Sequence, residues 1–368
     1  MIKNKPKIAV IGLKGLPAFG GAAAVGENII NQLKDKYDFT VLSVASHTEK
    51  ENTNINGVRQ IVFRNYGRGG INTFIYYLNC LAHVLINKYD LVHLHHAESG
   101  FITPFLKLRN EVVVTFHGIS FYKDSKFTRL HNRFFRFSER LNILFANKVV
   151  SVSKPDTDYI YQKYKRIIEY IPNGISYMNI QGSVKNQQKR EEYILFAAGR
   201  IIPIKGLHLL LKAAHRIDHP IKLIVAGDVD QVPGYRTNIA KLSSGLQIEY
   251  LGLIKEKSKL LQLIKESKLF VFPSITEAMS MMLLEVVSMK ISVIASDIPS
   301  NKAIFTNDDV LFFKSDDVED LTTKLNYALE NSFEMRKKAE HAYELIAKHY
   351  TWETISHEYS KIYKMLIK

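Results

Sequence analysis

Short apolar runs rich in β-branched residues alternate with longer segments of helical period along the whole chain. In the first half, Lys7–Gly12 (KIAVIG), Phe39–Ala45, Val58–Phe63, Leu91–His96, Val112–Gly118 and Lys148–Ser153 read as strands. The longest of these are apolar on nearly every residue, as in a parallel sheet covered on both faces. Helical periods follow the first loop, cover Ile71–Asn87, and run from Ser153 to about Lys165. The second half repeats the rhythm. Tyr193–Gly199, Ile221–Gly227, Ile248–Leu253, the run from Leu269 to Pro273-Ser274, Ile291–Ser296 and Val310–Phe313 read as strands. Leu207–Ile217, Tyr235–Leu242, Lys257–Lys265, Ser280–Met289, Val318–Glu330 and Glu334–His349 read as helices. After Tyr350, a terminal helix places Trp352, Ile355, Tyr359, Ile362 and Tyr363 on one face. Residues 178–192 are polar, lack a period and read as a linker. Strict strand–helix alternation in two halves predicts an α/β chain of two parallel-sheet domains, residues 1–175 and 190–350, with a cleft between them. No repeat of about 20–50 residues is present.

Composition narrows the class. At 368 residues, 46% of them hydrophobic, the chain suits two globular domains of about 180 residues each. One cysteine, Cys80, rules out an internal disulfide and fits a reducing cytoplasm. The N-terminus runs straight into a strand without a signal-peptide pattern, and the apolar runs fall short of the roughly 18 residues of a membrane span. A soluble or peripheral protein is expected. The net charge of +14 suits a polyanion, an anionic membrane or phosphorylated substrates. Zinc spacings, helix-turn-helix signatures and stacked-aromatic RNA motifs are all missing, so nucleic acid is not an expected partner.

The stretch LFVFPSITEAMSMMLLEVVSMKISVIAS, Leu269 to Ser296, carries the most chemistry. Strand, loop, buried helix and strand follow one another, with Glu277 in the loop and Glu285 inside an apolar helix. An unpaired buried carboxylate costs several kcal/mol. Glu285 therefore needs either a structural ion-pair partner or a ligand. Arg200 and Lys205 sit on another strand–helix loop, framed by Gly199 and Gly206, as cations placed to meet an anion. Near the N-terminus, GLPAFGG brings Gly20 and Gly21 to a helix entrance, where backbone can approach a phosphate or simply turn. This is neither G-x-G-x-x-G nor a P-loop. His117-Gly118 ends a strand, where α/β sheets place ligands. His93 and His95 share a strand face; metal binding and a strand end reaching the cleft are the readings there, and the missing acidic cluster disfavours the metal.

Residues 121–148 interleave Lys123, Lys126, Arg129, Arg133, Arg136 and Arg140 with Phe127, Leu130, Phe134, Phe135, Phe137, Leu141 and Leu144. At helical spacing the Phe/Leu set either forms a core stripe with solvated cations on its flank, or lies on an anionic membrane surface.

The Glu277-x7-Glu285 spacing, the Gly199-Arg200-x4-Lys205-Gly206 loop, the tandem glycines and His117 together resemble the retaining glycosyltransferases of family 4, of GT-B fold. The resemblance covers nearly the whole chain. It implies two Rossmann-like domains and a C-terminal helix, 351–368, crossing back to an acceptor-binding first domain. It further implies that Arg200 and Lys205 hold the diphosphate of a nucleotide sugar, without a metal or other cofactor. Glu285 would then bond the ribose hydroxyls, and Ser280 and Met281 at the helix start would meet phosphate. Glu277 would contact the donor sugar as a catalytic group, with His117 beside its hydroxyls and Gly20-Gly21 over the phosphates. Ala278-Met279-Ser280 stands where the family has Gly, an aromatic and Gly. The implied partners are a nucleotide-sugar donor and a glycan or lipid-linked acceptor. The implied setting is the cytoplasm, or the inner face of the plasma membrane through 121–148. An NAD-dependent oxidoreductase would also show the rhythm but lacks its glycine fingerprint. A catalytically inactive nucleotide-sugar-binding protein of the same fold is the other alternative.

Overall fold

The structure is a computed structural model that describes residues 5–18, 20–48, 53–67, 69–119, 128–176 and 192–367. The chain divides into two compact units. One comprises Met1–Gly174 with Trp352–Lys368, the other Ile175–Thr351. The expected linker lies almost wholly outside the described residues, as does 120–127.

The first unit runs β1 (Lys7–Lys14), α1 (Gly21–Leu33), β2 (Asp38–Val44), β3 (Asn54–Ile55), β4 (Val58–Phe63), α2 (Gly69–Ile86) and β5 (Leu91–His95). A 3-10 turn, Ala97–Ile102, leads into α3 (Thr103–Leu106), then β6 (Glu111–Phe116), α4 (Arg129–Phe145), β7 (Lys148–Ser151), α5 (Lys154–Tyr164) and β8 (Glu169–Tyr170). The sheet order is β3-β4-β2-β1-β5-β6-β7-β8, parallel except for the β3–β4 pair. Ile8, Ala9, Val10, Ile11, Leu91, Val92 and Val112–Val114 are sealed inside it, which is why these runs lack polar alternation.

The second unit runs β9 (Tyr193–Arg200), a 3-10 turn at Pro203–Lys205, α6 (Leu207–Ala214), β10 (Lys222–Asp228), α7 (Pro233–Leu242), β11 (Ile248–Gly252) and α8 (Lys257–Glu266). It continues through β12 (Leu269–Phe272), α9 (Met281–Ser288), β13 (Ser292–Ser296), α10 (Pro299–Lys302), β14 (Leu311–Phe313), α11 (Val318–Glu330) and α12 (Ser332–His349). Its sheet, β11-β10-β9-β12-β13-β14, is parallel throughout. The reversal of strand order around β9 and β12 brings their following loops side by side, the place where open α/β sheets bind ligands.

The terminal helix α13 (Trp352–Leu366) returns to the first unit. Trp352, Ile355, Tyr359, Ile362 and Tyr363 are all buried, as their spacing predicts. Tyr37 Oη meets Ser360 Oγ at 3.0 Å, and the Tyr37 and Tyr363 rings pack edge to face at 5.4 Å.

Two expectations are corrected. The Phe/Leu set of α4 is not one core stripe: Phe134, Phe135 and Leu141 are half-buried, Phe134 packing on Phe101, but Leu130 is 75% exposed, Phe137 56% and Leu144 57%. The buried face instead carries Ser138, Glu139, Asn142 and Ile143. Asn142 accepts from Thr103 Oγ1 at 2.6 Å and donates to Ala97 O at 3.1 Å, while Glu139 accepts from Lys163 Nζ and Tyr164 Oη. Satisfied buried polar groups can hold a helix as well as apolar ones, and periodicity does not reveal them. Secondly, α2 is long and apolar enough to cross a membrane by length and composition. Its Tyr76, Tyr77, Cys80 and Val84 nonetheless pack in the core of the first unit.

Candidate active site

Three backbone features bring the loops after β9 and β12 together. Ile275 N donates to Ile204 O at 2.8 Å, tying one loop to the other. Gly206 takes φ +73°, and a Cβ there would lie 1.9 Å from Pro273 O. Only glycine accepts both the left-handed conformation and this approach. Ser296 Oγ, at the end of β13, donates to Ser274 O at 2.5 Å and fixes the Pro273-Ser274 turn from its other side.

On this frame Lys205 and Glu277, 72 positions apart in sequence, form an ion pair through Glu277 Oε1. Ser274 Oγ donates to the same oxygen at 2.8 Å. The side chains are 26% and 12% exposed, so water reaches the pair only in part. Removing either partner leaves a poorly solvated charge, which costs more than the pair's net attraction. Arg200, the last residue of β9, is exposed. Its strand partner is Asp228, whose carbonyl accepts from Ile201 N at 2.8 Å.

The loop then enters α9. Ser280 is the N-cap, its hydroxyl accepting from Leu283 N at 3.3 Å. Met281 and Met282 are half-buried, whereas Leu283, Leu284, Val286 and Val287 fill the core. Glu285, one turn in, reaches the helix edge with its side chain 13% exposed and pairs with Lys257 at the start of α8. The partner that its burial demands is therefore present.

In the first unit, Gly20 (φ +119°) and Gly21 (φ +58°) open α1 with nothing within 4 Å of where a Cβ would sit. Left-handed backbone and open space leave the first N–H groups of α1 accessible, without a side-chain cap. His117 follows β6 directly and is half-buried. Its Nε2 lies 2.8 Å from Nδ1 of His95. Burial holds both rings well below the ordinary histidine pKa, reinforced by neighbouring histidines, so both are neutral at neutral pH. His93 and His95 are each 1% exposed, so neither is a strand end open to a ligand. Among the described residues no group of three or more His, Cys, Asp or Glu could hold a metal ion.

Lys205 with Glu277, and Ser280, Met281 and Glu285 at the start of α9, thus stand on and after the joined loops that follow β9 and β12 in the second unit, with Arg200 at the end of β9. Gly20, Gly21 and His117 lie in the first. Two participants escape a sequence reading: Ser274 was only a strand-end residue and Lys257 one cation among many. His95 was singled out with His93, as a metal pair or a strand end reaching the cleft, and not as the partner of His117.

Comparison with known proteins identifies the family and the fold. Residues 19–177 match the model described as Glycosyltransferase Family 4, and residues 181–344 that described as Glycosyl transferases group 1. The phosphatidylinositol N-acetylglucosaminyltransferase GPI3 subunit of Saccharomyces cerevisiae is 21% identical over 205 residues, 54% of this chain. The match spans only 45% of that relative's length. N,N'-diacetylbacillosaminyl-diphospho-undecaprenol alpha-1,3-N-acetylgalactosaminyltransferase of Campylobacter jejuni is 24% identical over 362 residues, 92% of this chain and 94% of that one. Among solved structures, HepE of Anabaena in complex with UDP and glucose superposes with a TM-score of 0.77 at 18% identity, over 98% of this chain and 100% of that one. With both halves matched, the chain belongs to the GT-B glycosyltransferases, its first unit of Glycosyltransferase Family 4 and its second of Glycosyl transferases group 1.

Proposed function

We propose that the chain moves a sugar, with retention, from a nucleoside-diphosphate sugar to a hydroxyl of a lipid-linked or polysaccharide glycan. The observation that carries this reading is the Lys205–Glu277 pair, locked between two loops at the strand-order reversal and braced by Ser274. A cation and a carboxylate neutralise each other there without a ligand. A diphosphate arriving beside Arg200 draws Lys205 to itself, and Glu277 is freed to accept hydrogen bonds from the donor sugar's hydroxyls. The two cations then stabilise the negative charge that grows on the leaving diphosphate, the service a divalent metal gives in other transferases. Glu285 accepts from the ribose hydroxyls, and the N–H groups at Ser280 and Met281 meet phosphate. In the first unit, taken by itself, Gly20 and Gly21 present backbone N–H groups suited to a phosphate, and His117 a neutral ring suited to a sugar hydroxyl.

The relatives' names support the substrate class: one acts on an undecaprenol-diphosphate-linked sugar, and one solved neighbour holds UDP and glucose. A lipid-linked acceptor also gives a use to α4. Leu130, Phe137 and Leu144 project outward among exposed Arg129, Arg133, Arg136 and Arg140, and the helix's single carboxylate, Glu139, is buried. We read this face as one that rests on the anionic cytoplasmic side of a membrane.

The test is a thermal-shift screen against UDP, GDP, ADP, their sugar conjugates and NAD. A ligand at about 100 times its Kd adds about 2.7 kcal/mol of stability. Stabilisation by one nucleotide class, lost in Lys205→Ala, is the expected outcome. Stabilisation by NAD alone, or an unaltered response in Lys205→Ala, overturns the reading.

A further inference from the structure

Behind His117 lies a run of buried polar side chains that the transfer reaction, as proposed, does not use. Tyr363 on α13 donates its hydroxyl to Nδ1 of His93 at 2.7 Å. His93 Nε2 lies 2.8 Å from Thr115 Oγ1, and Thr115 Oγ1 in turn donates to Tyr359 Oη at 3.3 Å. The threonine's single proton is thus spent on Tyr359, so it accepts from His93, which carries its hydrogen on Nε2. The ring of His93 lies against that of His95, centroids 4.2 Å apart, and His95 is joined edge to edge with His117, their planes 12° apart. His96 packs on the other side, its ring centroid 5.2 Å from that of His117. β5 supplies both His93 and His95, His117 follows the end of β6, and the returning helix anchors the first of them.

We infer that His95 is a positioning residue that fixes the tautomer and orientation of His117, with α13 holding the relay through His93. The inference rests on His117 meeting the donor sugar. One proton lies between Nδ1 of His95 and Nε2 of His117. If His95 donates it, both rings are Nδ1–H tautomers; if His117 donates it, both are Nε2–H. Two neutral rings joined in this way must share one tautomer, and the outward Nδ1 of His117 is a donor in the first case and an acceptor in the second. A sugar hydroxyl meeting that nitrogen therefore meets a proton or a lone pair according to a residue it never touches. Burial supports the scheme, since it keeps His93, His95 and His117 from taking a second proton.

Imidazole nitrogen NMR on 15N-histidine-labelled full-length protein tests this, with His95→Asn, His95→Phe and His117→Ala used both for assignment and for kinetics. In the unaltered protein, His95 and His117 are expected to show the same neutral tautomer; opposite tautomers overturn the inference without any variant. His95→Phe keeps a ring but loses the bond, so the His117 pattern should lose its single tautomer. Its kcat should fall on the order of 10- to 100-fold, while the donor KM stays within about threefold. His95→Asn, whose amide can occupy the position of Nδ1, should restore most of kcat. An unchanged His117 spectrum in His95→Phe, or a kcat that Asn and Phe lower equally, overturns it. His117→Ala at wild-type turnover would remove His117 from the sugar site, a failure of the functional reading; the nitrogen spectra then decide the tautomer coupling by themselves.

Discussion

In the second unit Lys205, Glu277, Lys257 and Glu285 meet as ion pairs on loops and helix ends that water partly reaches. In the first unit, His93 and His95 are shut away from water within the parallel sheet, and half-buried His117 joins them as a third neutral ring. Both clusters stand at or near strand C-termini of α/β sheets, yet they solve the problem of a buried polar group in opposite ways. One retains full charges and cancels them in pairs. The other removes the charge by desolvation and keeps only hydrogen bonds. A site of the first kind is ready to exchange a partner for an anion. A site of the second kind is ready to offer a directed proton or lone pair.

The comparison can be broken most sharply at Lys205. Lys205→Ala leaves Glu277 without its cation and the diphosphate without a donor, so turnover should fall about 10³-fold while the melting profile without ligand keeps its cooperative shape. Turnover near wild type would end the assignment of charge stabilisation to this unit.

Acid should act on the first unit. Burial holds His93 at about 3, against 6.5 in its unperturbed state. Below pH 6.5 the unfolded chain takes up a proton that the buried ring refuses. The stability His93 contributes is therefore whole above 6.5 and lost as pH falls towards 3, at about 1.4 kcal/mol per pH unit. Trp352 is the chain's single tryptophan and is buried in this unit. Its fluorescence should report a urea midpoint that declines steadily from pH 7 to pH 5, and a flat midpoint would refute the desolvated-histidine account.

Gly206→Ala tests whether the charged cluster depends on its backbone frame. A Cβ 1.9 Å from Pro273 O on a φ of +73° should cost about 2–4 kcal/mol, seen in urea unfolding, and should reduce nucleotide binding with it. The smallest effect is expected at Lys257, which orients Glu285 from outside. Lys257→Met should raise the donor KM about three- to tenfold and leave kcat within twofold; an unchanged KM would make the pair merely structural. For the membrane reading, replacing Arg129, Arg133, Arg136 and Arg140 with Gln should abolish pelleting with phosphatidylglycerol vesicles at low salt. Indifference of the unaltered protein to anionic lipid would remove that reading.

Much of this was legible in the order of residues. Apolar runs of four to eight residues that are rich in β-branched side chains and bounded by turn residues read as strands covered on both sides, so the two parallel sheets and their alternation follow from the pattern. The Trp352–Tyr363 stripe announced a helix that had to bury one face. Glu285 among leucines and valines announced a partner, because a lone carboxylate in that setting is too costly. The Gly199-Arg200-x4-Lys205-Gly206 loop and the Glu277-x7-Glu285 unit carried the resemblance that the family matches bear out.

Other features exist only once the chain is folded. That Lys205 chooses Glu277, and Glu285 chooses Lys257, depends on which strands are neighbours and which backbone atoms hold their loops together. Local pattern does not encode such contacts at separations of tens of residues. The outward turn of Phe137 and Leu144 was decided by Asn142 and Glu139 finding hydrogen-bond partners inside, an advantage that hydrophobic periodicity does not register. His95 and His117 share a proton because β5 and β6 lie side by side in register, bringing residues 22 positions apart within 2.8 Å. The sequence by itself determined which segments would be strands and helices and where charge would be expensive, since both follow from local periodicity and the free energy of burial. Tertiary structure alone decided which groups compensate one another, because hydrogen bonds and ion pairs act over a few ångströms that only the folded chain brings about.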